Sequence, residues 1–377
     1  MIKKAFRNFM LRRTISVKIR NKAMNTFSSY EIFKKIRTKT EAARKEANRP
    51  HEVLYFHKAD DPYSHLTIHC IKKLQASYDI VLKPILVGEE NPEAVHMPSL
   101  YNIYCLNDVK RIAPFYNINF QVDSYPSKDL INIANSILTS VNDEDFEGIA
   151  VQVSSALWQG DSKTLDQLSS TYYATRSEVK EKLLSGNKIR NSLGYYFGAA
   201  FSYEKELYWG VDRLPYLEGR LTELGARNVA ENESICPLVL QAPKILDSDK
   251  KVNLYYYPSL NSPYTFISTK RVREIREEYP VNLHVKPVLP MLMRKMNIPD
   301  YKAKYIISDA AREGRKHEHE MKSIFSPIGK PARKSYSLFP IIDEASKGFE
   351  YIEALLKASF QDGINIGEDD FLENLVT

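Results

Sequence analysis

Val53-Leu54-Tyr55-Phe56 followed by Asp61-Pro62-Tyr63-Ser64 returns as Leu254-Tyr255-Tyr256-Tyr257 followed by Ser262-Pro263-Tyr264-Thr265, 201 residues later. Each copy opens on a short apolar run rich in aromatic residues, which reads as a buried strand. A break follows. Asp61 or Ser262 then stands where a helix N-cap belongs, with Pro62 or Pro263 at the first helical position. In the first copy the helix turns Leu66, Ile68, Ile71 and Leu74 inward, and 78–86 reads as a second strand around Lys83-Pro84. In the second copy the strand spans 252–257, the helix runs through Ile275, and the next strand spans 281–288. Strand–helix–strand of this length implies a parallel pair with a right-handed crossover.

Working outward, more blocks repeat in the same order. Lys83-Pro84-Ile85-Leu86 matches Lys286-Pro287-Val288-Leu289 at offset 203, and Tyr104, Asp108 and Arg111 match Tyr305, Asp309 and Arg312 at 201. Ala156, Trp158 and Gln159 match Ala358, Phe360 and Gln361 at 202. A near-constant offset over four blocks reads as a tandem duplication with units starting near 51 and 250. Mainly helical stretches follow, about 100–190 and 300–362, with cap signals at Ser127 and at Ser177-Glu178. The first unit continues into a hairpin, Tyr195 to Tyr203 and Leu207 to Trp209 around Glu204-Lys205-Glu206, then a closing helix from Pro215 to Leu224. The second shows no such hairpin before Thr377. The expected fold is α/β: two tandem thioredoxin-like units, each with a helical insertion, the second lacking its terminal hairpin. The expected boundaries are a basic helical leader over 1–50, the first unit over 51–230, a linker over 231–250 and the incomplete second unit over 251–377.

With 377 residues, 43% hydrophobic and 27% charged, the composition is that of a globular protein and excludes wholesale disorder. No apolar run is long enough to span a membrane. The net charge of +6 is uneven. Residues 1–50 hold 15 Lys and Arg against three Glu, so the rest of the chain is net acidic. Ile2, Phe6, Phe9 and Met10 share one helical face, with Lys3, Arg7, Arg12 and Arg13 elsewhere. This pattern suits an arm packed on the body, a helix on an anionic membrane surface, or a transit segment. Nucleic-acid binding is not expected from an acidic body. Without a secretory signal and with only Cys70, Cys105 and Cys236, the expected location is the cytoplasm, and no disulfide scaffold or zinc cage is expected.

Asp61-Pro62-Tyr63-Ser64-His65, Ser262-Pro263-Tyr264-Thr265-Phe266, the two Lys-Pro pairs and Trp209-Gly210-Val211-Asp212-Arg213 together resemble the DsbA-like thioredoxin family. The branch most similar is 2-hydroxychromene-2-carboxylate isomerase and the kappa-class glutathione transferases. The resemblance covers about 51–225 and 251–366. It implies glutathione lying across the first helix N-terminus, a Ser before the Pro that bonds the sulfur, and an Asp-Arg pair after the hairpin that holds the γ-glutamyl end. Carried over, Ser262 is the catalytic, thiol-binding residue. Pro263, Tyr264, Asp212, Arg213, Tyr63 and Asp61 are the other glutathione- or substrate-binding candidates. The family's cis-proline has no counterpart in Gly198-Ala199-Ala200-Phe201, and the first unit has Asp61 in place of the Ser.

The residues carry their own chemistry. A helix N-terminus favours an anion, so a thiolate beside Ser262 is stabilised; Ser262 also serves as a plain cap. Asp61 repels a thiolate, by a few kcal/mol for unit charges about 4 Å apart at an effective dielectric near 20. It reads as a cap, with an acid–base role open if burial raises its pKa. Tyr63 and Tyr264 pack or offer a hydroxyl, and Asp212 and Arg213 also read as an ion pair opening the last helix. No cysteine stands at either helix start, which excludes ordinary dithiol exchange there. His65 and His69 are spaced as a metal pair but lack a third ligand, so no metal is expected. The functional expectation is a glutathione-dependent isomerase or transferase acting on a hydrophobic small molecule. Tyr255, Tyr257, Tyr264, Tyr305 and Phe266 would line its pocket, in a monomer or a homodimer. The alternatives are a non-catalytic scaffold for a peptide or protein partner, and a shortened form of a longer active chain.

Overall fold

The computed structural model describes residues 14–90, 92–230, 234–237 and 251–377. The amphipathic stretch read at 2–13 lies outside them. The chain divides into two compact units, Arg37–Leu240 and Gln241–Thr377, the latter together with Met1–Ile36. Helices α1 (Thr14–Ser28) and α2 (Tyr30–Glu46) precede the first strand. Helix α1 is held on the second unit by paired amide bonds. Asn25 Nδ2 donates to Ile324 O at 3.0 Å and its Oδ1 accepts from Ile324 N at 2.9 Å, while Asn21 Oδ1 accepts from Ser326 N at 2.9 Å. In the first unit, Arg37 of α2 donates two bonds of 2.9 Å to Glu206.

The first unit is built on β1 (Glu52–His57), whose Val53, Tyr55, Phe56 and His57 are all buried, as befits a strand flanked on both sides. Helix α3 (Pro62–Ser77) crosses to β2 (Val81–Leu86), which pairs parallel with β1. The insertion supplies α4 (Pro98–Ile112), α5 (Lys128–Ser140), α6 (Phe146–Gln159), α7 (Ser162–Ser169) and α8 (Arg176–Ser192). The hairpin β3 (Ala200–Tyr203) and β4 (Glu206–Trp209) then returns antiparallel to β1, and α9 (Leu214–Glu223) closes the unit. The sheet order is β2-β1-β3-β4. This mixed α/β arrangement is consistent with a thioredoxin-like fold. Leu66, Ile68, Ile71 and Leu74 face inward from α3 as expected and join Trp158, Phe120 and Ile137 in one core.

The expectations differ from the structure at several points. The first hairpin strand starts at Ala200 rather than Tyr195, because 195–199 forms a loop over the start of α3. Glu206 already belongs to β4, so the turn is Glu204-Lys205, both with positive φ (47° and 68°). Thr175, not Ser177, caps α8; its hydroxyl accepts from Glu178 N and the Glu178 carboxylate accepts from Thr175 N. Ser127 caps α5 as read. Residues 234–236 sit in the first unit, although the linker was expected to begin at 231. Ser234 Oγ and Ile235 N donate to Glu218, and Cys236 is fully buried.

The second unit repeats the opening: β5 (Val252–Tyr256), α10 (Pro263–Glu278) and β6 (Val281–Val285), with β5 and β6 parallel. Both strands end sooner than read, and α10 runs three residues past Ile275. Helices α11 (Asp300–Lys316), α12 (Lys330–Glu344), α13 (Gly348–Phe360) and α14 (Asp369–Val376) follow. Among the described residues, β5 pairs only with β6. Local bonds recur between the units. Ser64 Oγ accepts from Lys58 N at 3.2 Å, and Thr265 Oγ1 from Ser259 N at 3.3 Å. Val87 N donates to His57 O at 2.9 Å, and Val288 N to Pro258 O at 2.8 Å.

Candidate functional site

In the first unit, Asp61 ends the turn after β1 with extended backbone, and its carboxylate accepts from Tyr63 N at 3.2 Å and Ser64 N at 3.1 Å. Ser64 Oγ donates to Asp61 Oδ2 at 2.8 Å and accepts from Ala199 N at 2.9 Å. The 195–199 loop is thereby fastened onto the helix start. Ala199, within the stretch 198–201 that lacks the family's proline, takes φ +52°. Lys58 Nζ lies 3.2 Å from Asp60 Oδ1 and 3.4 Å from Glu90 Oε1. Burial pushes the Asp61 carboxyl up to about 6, against the lowering pull of Lys58 and the Ser64 hydroxyl. A carboxyl poised near neutrality can both take and give a proton, which is the condition under which an acid–base role stayed open.

An aromatic wall stands beside it. Tyr101 stacks on Phe197 at 5.5 Å, Phe197 on Trp209 at 5.0 Å, and Trp209 meets Tyr63 edge-on at 5.5 Å. The Tyr63 hydroxyl donates to Asp108 Oδ2 at 2.7 Å, so its proton is held by the protein rather than offered to a ligand. Cys105, on the same helix as Tyr101, is buried, and that burial pushes its thiol up to about 12. Asp212 and Arg213 do form an ion pair, at 2.6 Å, just before α9. Burial raises the Tyr104 phenol most, followed by Asp108 and Cys105, with a smaller push from Asp212.

In the second unit, Ser262 caps α10 and accepts from Thr265 N at 3.2 Å, with Pro263 buried at the first helical turn. Its backbone (φ −101°, ψ 116°) is that of Asp61 (φ −103°, ψ 117°). The Tyr264 hydroxyl donates to Asp309 at 2.8 Å, and Asp309 in turn pairs with Arg312. Of the expected aromatic lining, Phe266 and Tyr305 are buried in the core instead. Phe266 is sandwiched between His319 at 4.3 Å and Phe360 at 5.4 Å. Tyr255 and Tyr257 are open, at 52% and 59% exposure.

Thus Asp61, Tyr63, Asp212 and Arg213 share the first unit, and Ser262, Pro263 and Tyr264 share the second. The residues that the family resemblance implied for glutathione are divided: Ser262 lies in one unit and the Asp212–Arg213 pair in the other. His65 Nδ1 lies 2.8 Å from Ser154 Oγ, and its ring meets His69 edge-on. Among the described residues no three His, Cys, Asp or Glu side chains converge as a metal site. Sequence reasoning missed Lys58, Glu90, Tyr101, Cys105, Gly198 and the tyrosine-binding role of Asp108. For Asp108 a signal existed: Tyr63–Asp108 and Tyr264–Asp309 share one separation, 45 residues.

Gly198 is the keystone of the loop. A Cβ there would stand 2.8 Å from Lys58 Cβ and 2.9 Å from both Asp61 Oδ2 and Ser64 Oγ. Gly198→Ala is expected to cost about 1–3 kcal/mol in urea unfolding, as overpacking does. By lifting the loop it should also bring the Asp61 carboxyl, followed by NMR, back toward the ordinary range.

No protein-family model matches the chain, and no curated protein matches its sequence. Among solved structures, selenomethionine-labelled 2-hydroxychromene-2-carboxylate isomerase aligns with a TM-score of 0.34 at 17% identity, over 46% of this chain and 96% of that one.

Proposed function

We propose that the chain is a DsbA-like protein made of two duplicated units, the second without its terminal hairpin, and that it works as a glutathione-dependent isomerase or transferase on a hydrophobic small molecule. The observation that carries the reading is Ser262. It holds the N-terminus of a 16-residue helix through a hydroxyl that accepts one backbone bond and keeps its own proton to donate. The duplication is supported by sequence blocks recurring at a near-constant offset and by local bonds that repeat at 201 residues. The open Tyr255 and Tyr257 offer aromatic surface on the same unit for the second substrate. Glutathione would supply the thiol nucleophile, and Ser262 would orient it. A cytoplasmic setting, and either a monomer or a homodimer, fit this reading.

Calorimetric titration of glutathione into the purified chain tests it. Binding is expected, weakened about 10- to 100-fold in Ser262→Ala, the worth of one hydrogen bond to a charged group. Binding that Ser262→Ala leaves unchanged moves the site elsewhere. Absence of binding in the wild type overturns the glutathione reading.

A second reading has its own support. Asp61 occupies the thiol position of the first unit, and the Asp212–Arg213 pair has no Ser262 beside it in that unit. This division suits a duplicated scaffold that binds a peptide or protein partner without chemistry. Absence of glutathione binding in both the wild type and Asp61→Ser favours it.

A further inference from the structure

Cys70 and Cys236 are 166 residues apart in the sequence, yet their sulfurs lie 3.0 Å from each other. Cys70 sits midway along α3, facing the core; Cys236 lies beyond α9, next to Ile235. Both are free thiols in this structure, and both are buried. The chain before Cys236 is not casually placed. Ser234 Oγ donates to Glu218 Oε2 at 2.7 Å and Ile235 N to Glu218 Oε1 at 3.0 Å, with Glu218 itself buried on α9. The two side chains therefore point at each other from two anchored pieces of backbone. A disulfide needs its sulfurs about 2.0 Å apart, so closing the pair asks for a shift of about 1 Å.

We infer that Cys70 and Cys236 form a redox-modification site: a dithiol that low-molecular-weight disulfides oxidise to an intramolecular disulfide, fastening the chain's exit from the first unit to the helix that carries Asp61. The chemistry balances as thiol–disulfide exchange. One protein thiolate attacks the small disulfide, forms a mixed disulfide and releases one small thiol. The second protein thiolate then attacks the mixed disulfide, forms the Cys70–Cys236 bond and releases the second small thiol. Two protein thiols are oxidised, one small disulfide is reduced, and the two thiol protons pass to the released thiolates. Contact with Cys70 and burial both push the Cys236 thiol up, so Cys236 is a poor nucleophile while the pair stays closed. Exchange then proceeds when Ser234 and Ile235 lift from Glu218, and the rate should follow that opening. Cys105 has no such partner among the described residues and stays a thiol.

The test uses the full chain. Protein is incubated with oxidised glutathione or with dithiothreitol, then denatured, alkylated and weighed, and the digest is mapped. The reduced sample should take three alkyl groups, one for each cysteine. The oxidised sample should take one, on Cys105, and yield one cross-linked peptide joining Cys70 to Cys236. Conversion should quicken at least several-fold in urea too dilute to unfold the protein. Linking residues this far apart should also raise Tm by roughly 5 °C or more over the reduced form. Three alkylatable thiols after exhaustive oxidation overturn the inference. So does glutathione retained on either sulfur, or a link to Cys105. These readouts use the wild type, so they hold even if Cys70→Ser or Cys236→Ser fails to fold, and none depends on glutathione binding at Ser262.

Discussion

Gly186→Ala is expected to destabilise the first unit by more than about 3 kcal/mol, beyond ordinary overpacking. An alanine in mid-helix normally gains about 1 kcal/mol over glycine. Here the added Cβ would stand 1.8 Å from the Leu86 carbonyl oxygen and 2.9 Å from its carbon. The obstacle is backbone, not a side chain that can swing aside. Nor can α8 retreat freely. Asn187 Oδ1 accepts from Gly88 N at 3.0 Å, and Arg190 Nη2 donates to Glu89 O at 3.2 Å, so the helix is clamped to the residues after β2. Gly148 and Gly219 provide the contrast: both are helical and a Cβ at either meets nothing within 4 Å. Gly148→Ala and Gly219→Ala should each gain about 0.5–1 kcal/mol. Urea unfolding of the three variants reads the difference directly. A Gly186→Ala protein as stable as the wild type would mean that α8 and β2 do not approach this closely.

The second large effect is acid lability. His57 is fully enclosed, with Nδ1 at 3.0 Å from the Tyr55 hydroxyl and Phe146 against its ring, and burial pushes it down to about 3. His65 is held to about 3 by burial and then by His69 and His57. In the unfolded chain both titrate near 6.5. Between those values the unfolded state binds two protons that the folded state refuses, so stability is present at neutral pH and is lost as pH falls from about 6.5 toward 3. Asp61 works the other way. Its folded pKa of about 6 stands above the ordinary carboxylate value, so its contribution is present at low pH and lost as pH rises through about 6. The balance between pH 4 and 6 is at least one proton. Stability should therefore fall by about 1.4 kcal/mol per pH unit on acidification. His51, His69 and His319, all lowered mainly by burial, add in the same direction. Asp61→Asn should steepen the slope by about one proton. Urea midpoints measured from pH 7 to 4 show it; a flat profile would place both histidines in contact with water.

What the sequence could disclose here follows the range of the chemistry involved. The β1–α3–β2 opening and its echo at β5–α10–β6 were legible because strand, cap and N1 proline lie within a few residues of one another. Ser127 was legible for the same reason. Thr175 was passed over for Ser177 although Glu178 stands three residues after Thr175, the spacing a capping box requires. The loop at 195–199 could not be read, because Tyr195-Tyr196-Phe197 looks like strand, and it leaves the sheet only to meet a serine and an aspartate more than 130 positions earlier. The candidate site divided along the same line. Asp61, Ser262 and the two tyrosines were named from their own motif, and the structure shows Asp61 and Ser262 as helix caps. Lys58 with Glu90, the stacked Tyr101, Phe197 and Trp209, and the pairing of Cys70 with Cys236 exist only once distant segments are brought together.

The register of the first sheet also sets an order of events. Strand β1 pairs with β2 through Glu52↔Val81 and with β3 through Val53↔Tyr203. The first pairing closes a loop of about 30 residues and the second one of about 150, which costs about 1.5 kcal/mol more in chain entropy before any contact rewards it. Strand β1 thus gains β2 on one side well before β3 can close its other side, with the whole helical insertion lying between them in the chain. Among the described residues of the second unit, β5 and β6 close only the short loop. By topology alone, the first unit is the slower of the two to fold.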